Sequence, residues 1–253
     1  MTIFNDFSEA YDLMFPREER IRSEEPFWRG LVARHGVRSV LDCACGTGGH
    51  PILFARLGCA AYGSDLSPKM VEAALANAVA AGVTVNLRVS SFTELTSAFR
   101  ADERFDAVIC VGNSLTLAPT DDAVAKAVRQ MHALLNPGGV CVLNIFNWDR
   151  LAAEKLRIMP AAVAEKDGRE LTFLRVFHHR GDVIDLNIVV VTREGGRAAT
   201  EILTAHQRPV GPARLMEFVE AAGFTSWEAT AGYSATPFDP LTSDLLVLVA
   251  RKG

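Results

Sequence analysis

Val40-Leu41-Asp42-Cys43-Ala44-Cys45-Gly46-Thr47-Gly48-Gly49-His50 reads as the end of a buried strand running into a glycine turn. A helix starting near Pro51 follows. An acidic side chain stands at the strand end, and the glycines let a bulky ligand approach the backbone. Turns of this kind, at the carboxyl edge of a parallel sheet, receive nucleotide-like ligands.

Working outward, strands and helices alternate. Val37 to Asp42 is the first strand and Pro51 to Leu57 the next helix, with Gly58 as its stop. Cys59-Ala60-Ala61-Tyr62-Gly63-Ser64-Asp65 is a second strand ending in an acid. Ser67 caps a helix with Pro68 at its first position. Val83 to Val89 and Phe105 to Val111 are further strands. Thr120 caps a helix that carries Asp121 and Asp122 in its first turn and ends at Asn136-Pro137-Gly138-Gly139. Val140 to Ile145 is the fifth strand. The alternation predicts a doubly wound, seven-stranded, mostly parallel α/β sheet.

After Asn147 the pattern changes. Leu171 to His178, Val183 to Thr192 and Thr200 to Gln207 read as strands joined by tight turns. We expect a small antiparallel β cap, residues 150–210, inserted after strand five within a single domain spanning residues 1–253. Glu24 to His35 reads as a helix, and residues 1–35 as a helical lid. A helix from Gly211-Pro212 to Gly223 and strands near Trp227–Tyr233 and Asp244–Arg251 complete the chain.

The chain has 253 residues, 49% of them hydrophobic and 22% charged, with a net charge of -4. That is the profile of one globular domain, and without a basic tract a nucleic-acid partner is not expected. The start lacks an apolar signal core and no apolar run spans a bilayer, so a soluble cytoplasmic protein with no membrane partner is expected. None of the five cysteines has paired metal-ligand spacing, and no metal is expected.

A nicotinamide cofactor and an adenosyl sulfonium cofactor both use a glycine turn with an acid after strand two. Asp65 suits either, as acceptor for two ribose hydroxyls. Asp42 would repel a pyrophosphate but suits an ammonium group. The turn also lacks the third glycine of the dinucleotide fingerprint. Both details favour the sulfonium.

Leu41-Asp42-Cys43-Ala44-Cys45-Gly46-Thr47-Gly48 resembles motif I of the class I S-adenosylmethionine-dependent methyltransferases. Ser64-Asp65-Leu66-Ser67-Pro68-Lys69-Met70 resembles their second motif, and Leu134-Leu135-Asn136-Pro137-Gly138-Gly139 the turn before strand five. Ile109-Cys110-Val111-Gly112-Asn113-Ser114 is similar to glycine and sarcosine N-methyltransferases. The resemblance implies a Rossmann-like methyltransferase fold, S-adenosyl-L-methionine as cofactor, and a transferase acting on a small molecule, an amine above all. It implies a cofactor site of Tyr11, Arg20, Asp42, Ala44, Gly46, Gly48, Asp65, Leu66, Met70, Ser91, Phe92 and Val111. Arg20 would hold the methionine carboxylate, and Ser91 and Phe92 would flank the adenine. Phe146 stands where the glycine enzymes place the arginine that grips the substrate carboxylate, which argues against glycine.

Tyr11, Asn113, Asn147 and His206 are the candidates for contact with the acceptor, with Trp148, His178, Arg208 and Tyr233 behind them. Each also has a plain structural role open to it, in packing a terminal helix, satisfying strand ends or sitting at the surface. Three alternatives stay open: a cofactor-binding subunit without turnover, an oxygen, sulfur or protein acceptor, and an NAD-linked reductase. A nucleic-acid N-methyltransferase is disfavoured, because Asn113-Ser114-Leu115-Thr116 is not a proline-proline-aromatic base clamp. A homo-oligomer is open.

Overall fold

The computed structural model of the chain describes residues 10–253, so the first nine residues of the expected lid lie outside it. The glycine turn is where the pattern puts it. β1 (Ser39–Asp42) ends at Asp42, and α3 (Gly49–Arg56) starts two residues before Pro51. β2 (Ala60–Asp65), β3 (Asn86–Val89), β4 (Phe105–Cys110) and β5 (Leu135–Phe146) follow in the same sense. With β10 (Phe224–Ala231) and β11 (Leu245–Lys252) they form a seven-stranded sheet of order β10-β11-β5-β4-β1-β2-β3. β11 alone runs antiparallel to its neighbours. The strand order reverses between β1 and β4, so the turn after β1 opens into the crevice at the switch point.

Helices cover both faces. Trp28, Leu31, Leu53 and Phe54, from α2 (Arg17–His35) and α3, close one side over Val40 and Ile109. α5 (Leu95–Ala98), α6 (Asp121–Leu134) and α8 (Pro212–Ala221) close the other over Leu41 and Val108. α4 (Pro68–Ala80) starts as its sequence dictates, with the Ser67 hydroxyl accepting the Met70 amide at 3.2 Å and Pro68 in the first turn. Thr120 does the same for Ala123 at 3.1 Å.

α2 is longer than the expected helix over 24–35, because no residue stops it before Pro16. Its apolar stripe is faint because half its length covers polar side chains. Residues 10–14 form a helical turn, α1, ahead of it. α7 (Trp148–Ala153) leads from β5 into the cap.

The cap has four strands where three were expected: β6 (Ile158–Lys166), β7 (Arg169–Arg180), β8 (Val183–Glu194) and β9 (Arg197–Gln207), antiparallel and in chain order. β6 was hidden by Pro160, which falls where the pairing with β7 shifts register, at the sheet edge. A proline is tolerated there, since an edge strand has amides that need no partner. The inner cap face (Phe173, Ile188, Val190) packs on Met14 of α1. Among the described residues, no helix is long and apolar enough to cross a membrane.

Candidate functional site

A cleft of about 720 Å³ lies at the carboxyl ends of β1, β2 and β4, roofed by α1 and the inner face of the cap. Its floor is the glycine turn. Gly48 sits at φ 88° and a Cβ there would be 2.9 Å from the Ala74 Cβ, so the turn can press against α4 only with glycine at this position. Asp65 ties the turn to β2: Oδ2 accepts the Gly46 amide at 2.9 Å and Oδ1 the Ser67 amide at 2.9 Å. Burial pushes the Asp65 carboxyl up from its ordinary value against the pull of these amides. Leu66, Met70, Ser91 and Phe92 line the same end.

Arg20 reaches this floor from α2, and its tip lies close over Gly49. It is hydrogen-bonded by Tyr11 and stands 4.0 Å from Glu24, while its buried Nε has no partner. Glu24 is itself buried and accepts from Trp28 Nε1 at 3.1 Å, with His50 Nε2 at 2.7 Å. Burial would raise its carboxyl, but these bonds and Arg20 hold it below the ordinary value. His50 Nδ1 is 3.7 Å from Asp42 Oδ2, an oxygen with no hydrogen-bond partner. The fully buried Asp42 is pushed up to about 6. The glycine floor is thus flanked by an alternating row of arginine, glutamate, histidine and aspartate. The Thr47 hydroxyl donates to Asp12 Oδ1 at 2.5 Å, which latches α1 onto the turn.

The structure brings Tyr11, Arg20, Ala44, Gly46, Asp65, Leu66, Met70, Ser91, Phe92 and Asn113 to one cleft. Other expected site residues fall elsewhere. Asp42 lies behind the wall, with Oδ1 accepting the Ala44 amide at 3.1 Å, so it shapes the turn from beneath. Gly48 packs on α4, and Val111 is core, its carbonyl accepting from Ser114.

One acceptor candidate, Asn147, is corrected, and a second, His206, has its ring engaged by a partner. Asn147 is buried and caps α7, its amide bonded to Pro240 and Ser243 carbonyls at 2.8 and 2.9 Å, so it anchors the loop before β11. His206 borders the cleft, but its ring is bonded to Asp185 at 2.7 Å on the exposed side of the strand, while Ala205 and Gln207 take the buried positions of β9. Asn113 stays on the wall, at φ 63°, but its Oδ1 accepts from the Phe146 amide and Trp148 Nε1 while Nδ2 donates to Thr116. It is a positioning residue. Trp148 is core, His178 is exposed and Arg208 is paired with Asp121 and Asp182. Tyr233 does line the cleft, and burial pushes its hydroxyl well above the ordinary value.

Glu24, His50 and Arg175 escaped the sequence reading. Glu24 and His50 are 26 positions apart and nothing local marks them as partners. Arg175 had a signal: it alternates with Phe173 and Phe177, on the face of a strand that turns inward.

Residues 40–139 match the methyltransferase domain family. The chain is 34% identical over 146 residues to a glycine/sarcosine N-methyltransferase of Parasynechococcus marenigrum, a match covering 58% of this chain and 51% of that protein. A glycine N-methyltransferase of Rattus norvegicus is 31% identical over 47% of this chain and 44% of its own. The chain spans about half the length of these relatives. A crystal structure of an S-adenosylmethionine-dependent methyltransferase from Clostridium acetobutylicum superposes with a TM-score of 0.79 over 99% of both chains, at 16% identity.

Proposed function

We propose that the chain, whose residues 40–139 match the methyltransferase domain family and which is similar to glycine/sarcosine N-methyltransferases, is an S-adenosylmethionine-dependent methyltransferase of a small-molecule amine. One observation carries the reading. Arg20, the glycine turn and Asp65 meet along one wall of a cleft whose opposite wall is the cap.

The side chains fit the cofactor. The partly unpartnered, half-buried Arg20 guanidinium would hold the methionine carboxylate, Asp65 the ribose hydroxyls, and Ser91 with Phe92 the adenine. S-adenosylmethionine, when bound, supplies a methyl group already activated on its sulfonium. The protein's share is then to position, orient and desolvate. α1 and the cap exclude water from above, while Asp65 and Asn113 hold the turn and the strand-four wall rigid. Of the two histidines bordering the cleft, His206 is bonded to Asp185 and His50 to Glu24. An amine held unprotonated in line with the sulfonium would take the methyl group on its lone pair, with S-adenosylhomocysteine leaving and the ammonium product shedding a proton.

Calorimetric titration with S-adenosylhomocysteine, with NADH run beside it, is the test. Binding of the first alone, followed by its release as product with an amine panel, is the expected result. Binding of NADH alone would overturn the reading. Binding of S-adenosylhomocysteine without turnover on any amine, hydroxyl or thiol would leave a cofactor-binding subunit.

A further inference from the structure

The charges on the inner face of the cap do not balance. Arg175, on β7, lines the cleft between Phe173 and Phe177 and opposite Ile188. Its guanidinium lies 5.1 Å over the Phe15 ring. Among the described residues it makes no salt bridge and no side-chain hydrogen bond. The neighbouring arginines of the cap are treated differently. Arg180, on the same strand, is paired with Asp185, and Arg208, just after β9, with Asp121 and Asp182. Arg20, a second cation of the cleft, is hydrogen-bonded with Tyr11 and stands 4.0 Å from Glu24, with part of its guanidinium left for a ligand. A partly buried charge is ordinarily paired, because removing its water without a partner is costly. The surroundings of Arg175 are mostly apolar, with the Phe15 ring beneath it and Ile188 opposite on β8, and its polar neighbour is the neutral hydroxyl of Tyr11. A bare guanidinium in that setting is preorganised for a planar, bidentate anion delivered by something that enters the cleft.

We propose that Arg175 anchors an anionic group, a carboxylate or a phosphate, on the methyl acceptor. This rests on the methyltransferase reading and narrows it: the substrate is an amine that carries an anion in the same molecule. The cap then selects among amines by charge, and the cation that does so comes from the inserted sheet rather than from the strands of the main sheet.

The test uses paired probes and the charge-removing variant Arg175→Met, with Arg175→Lys beside it. Acetate and inorganic phosphate are titrated into the protein saturated with S-adenosylhomocysteine, and into the free protein, with chloride balancing ionic strength. We expect one of the two to raise the melting temperature of the wild type and not of Arg175→Met, which tells a carboxylate from a phosphate. In turnover, kcat/KM for an amino acid or an aminoalkyl phosphate should exceed that for the matching amine without the anion by about 10- to 100-fold. That ratio should collapse toward one in Arg175→Met and survive in part in Arg175→Lys, with the change in KM. Affinity for S-adenosylhomocysteine should be unchanged in both variants. Equal preference in the wild type, a preference that persists in Arg175→Met, or no response to either anion overturns the proposal. A fall in S-adenosylhomocysteine affinity reassigns Arg175 to the cofactor. Loss of S-adenosylhomocysteine binding by the wild type would instead sink the methyltransferase reading, and the anion titration of the free protein would still judge Arg175.

Discussion

At the scale of single residues, the two acids of the motifs turn out to do different work. Asp65 was legible from its place after the second strand. What the sequence concealed is that its oxygens already accept the Gly46 and Ser67 amides. Asp65→Ala therefore removes the proposed ribose acceptor and also frees two amide donors. Chemical denaturation should show a loss of about 2–4 kcal/mol, together with abolished S-adenosylhomocysteine binding by calorimetry; unchanged affinity would remove Asp65 from the site. Asp42 is a stability switch. Burial raises its folded value to about 6 from 3.8. Between those values the folded chain holds a proton that the unfolded chain has released, so stability falls as pH rises from about 4 to about 6 and stays low at pH 7. Asp42→Asn keeps the acceptor for the Ala44 amide but removes the buried charge. It should flatten that slope and stabilise the protein at pH 7 by up to about 3 kcal/mol. A slope identical to wild type would show that the charge is compensated. Asn147 answers the opposite question. Asn147→Ala should lower stability by about 1–3 kcal/mol, since it leaves the Pro240 and Ser243 carbonyls short of a donor. Methyl transfer per folded molecule should not change.

At the scale of elements, the glycine turn separates folding from binding within three residues. A Cβ on Gly48 meets α4 at 2.9 Å, whereas a Cβ on Gly46 meets nothing within 4 Å and borders the cleft. Gly48→Ala should cost roughly 2 kcal/mol or more of stability, from the strained φ and the collision. Gly46→Ala should unfold the protein less but weaken S-adenosylhomocysteine binding more. Equal effects in the two variants would mean the turn acts as one unit. The turn and its flanking elements were readable because caps, glycines and a buried strand are local signals. The start of α2 was not. Its apolar periodicity is broken by Arg20 and Glu24, which stand 4.0 Å apart, and by the bond of Glu24 to His50, 26 residues downstream. β6 was likewise lost because its proline is excused by an edge position that only the assembled sheet defines.

At the scale of the whole molecule, the cleft is closed by two segments far apart in sequence, α1 and the cap, which pack on each other through Met14, Phe173 and Ile188. The Thr47–Asp12 bond fastens that roof to the ligand turn. Asp12→Ala should speed S-adenosylhomocysteine dissociation several-fold in stopped flow while leaving the melting temperature nearly unchanged; an unaltered off-rate would show that the roof is held by apolar packing alone. By itself the sequence determined the doubly wound sheet, the glycine turn with its two acids, the presence of a β insertion and the resemblance to methyltransferases over residues 40–139. These follow from short-range rules: periodicity, capping, glycine conformation and motif spacing. Only the tertiary structure decided that Asn147 serves the scaffold, that His206 is engaged by Asp185, that Glu24 and His50 back the turn, and that Arg175 faces the cleft with no salt bridge among the described residues. Each of those depends on which groups meet across the fold and which buried charges go unpaired, and no local pattern encodes it.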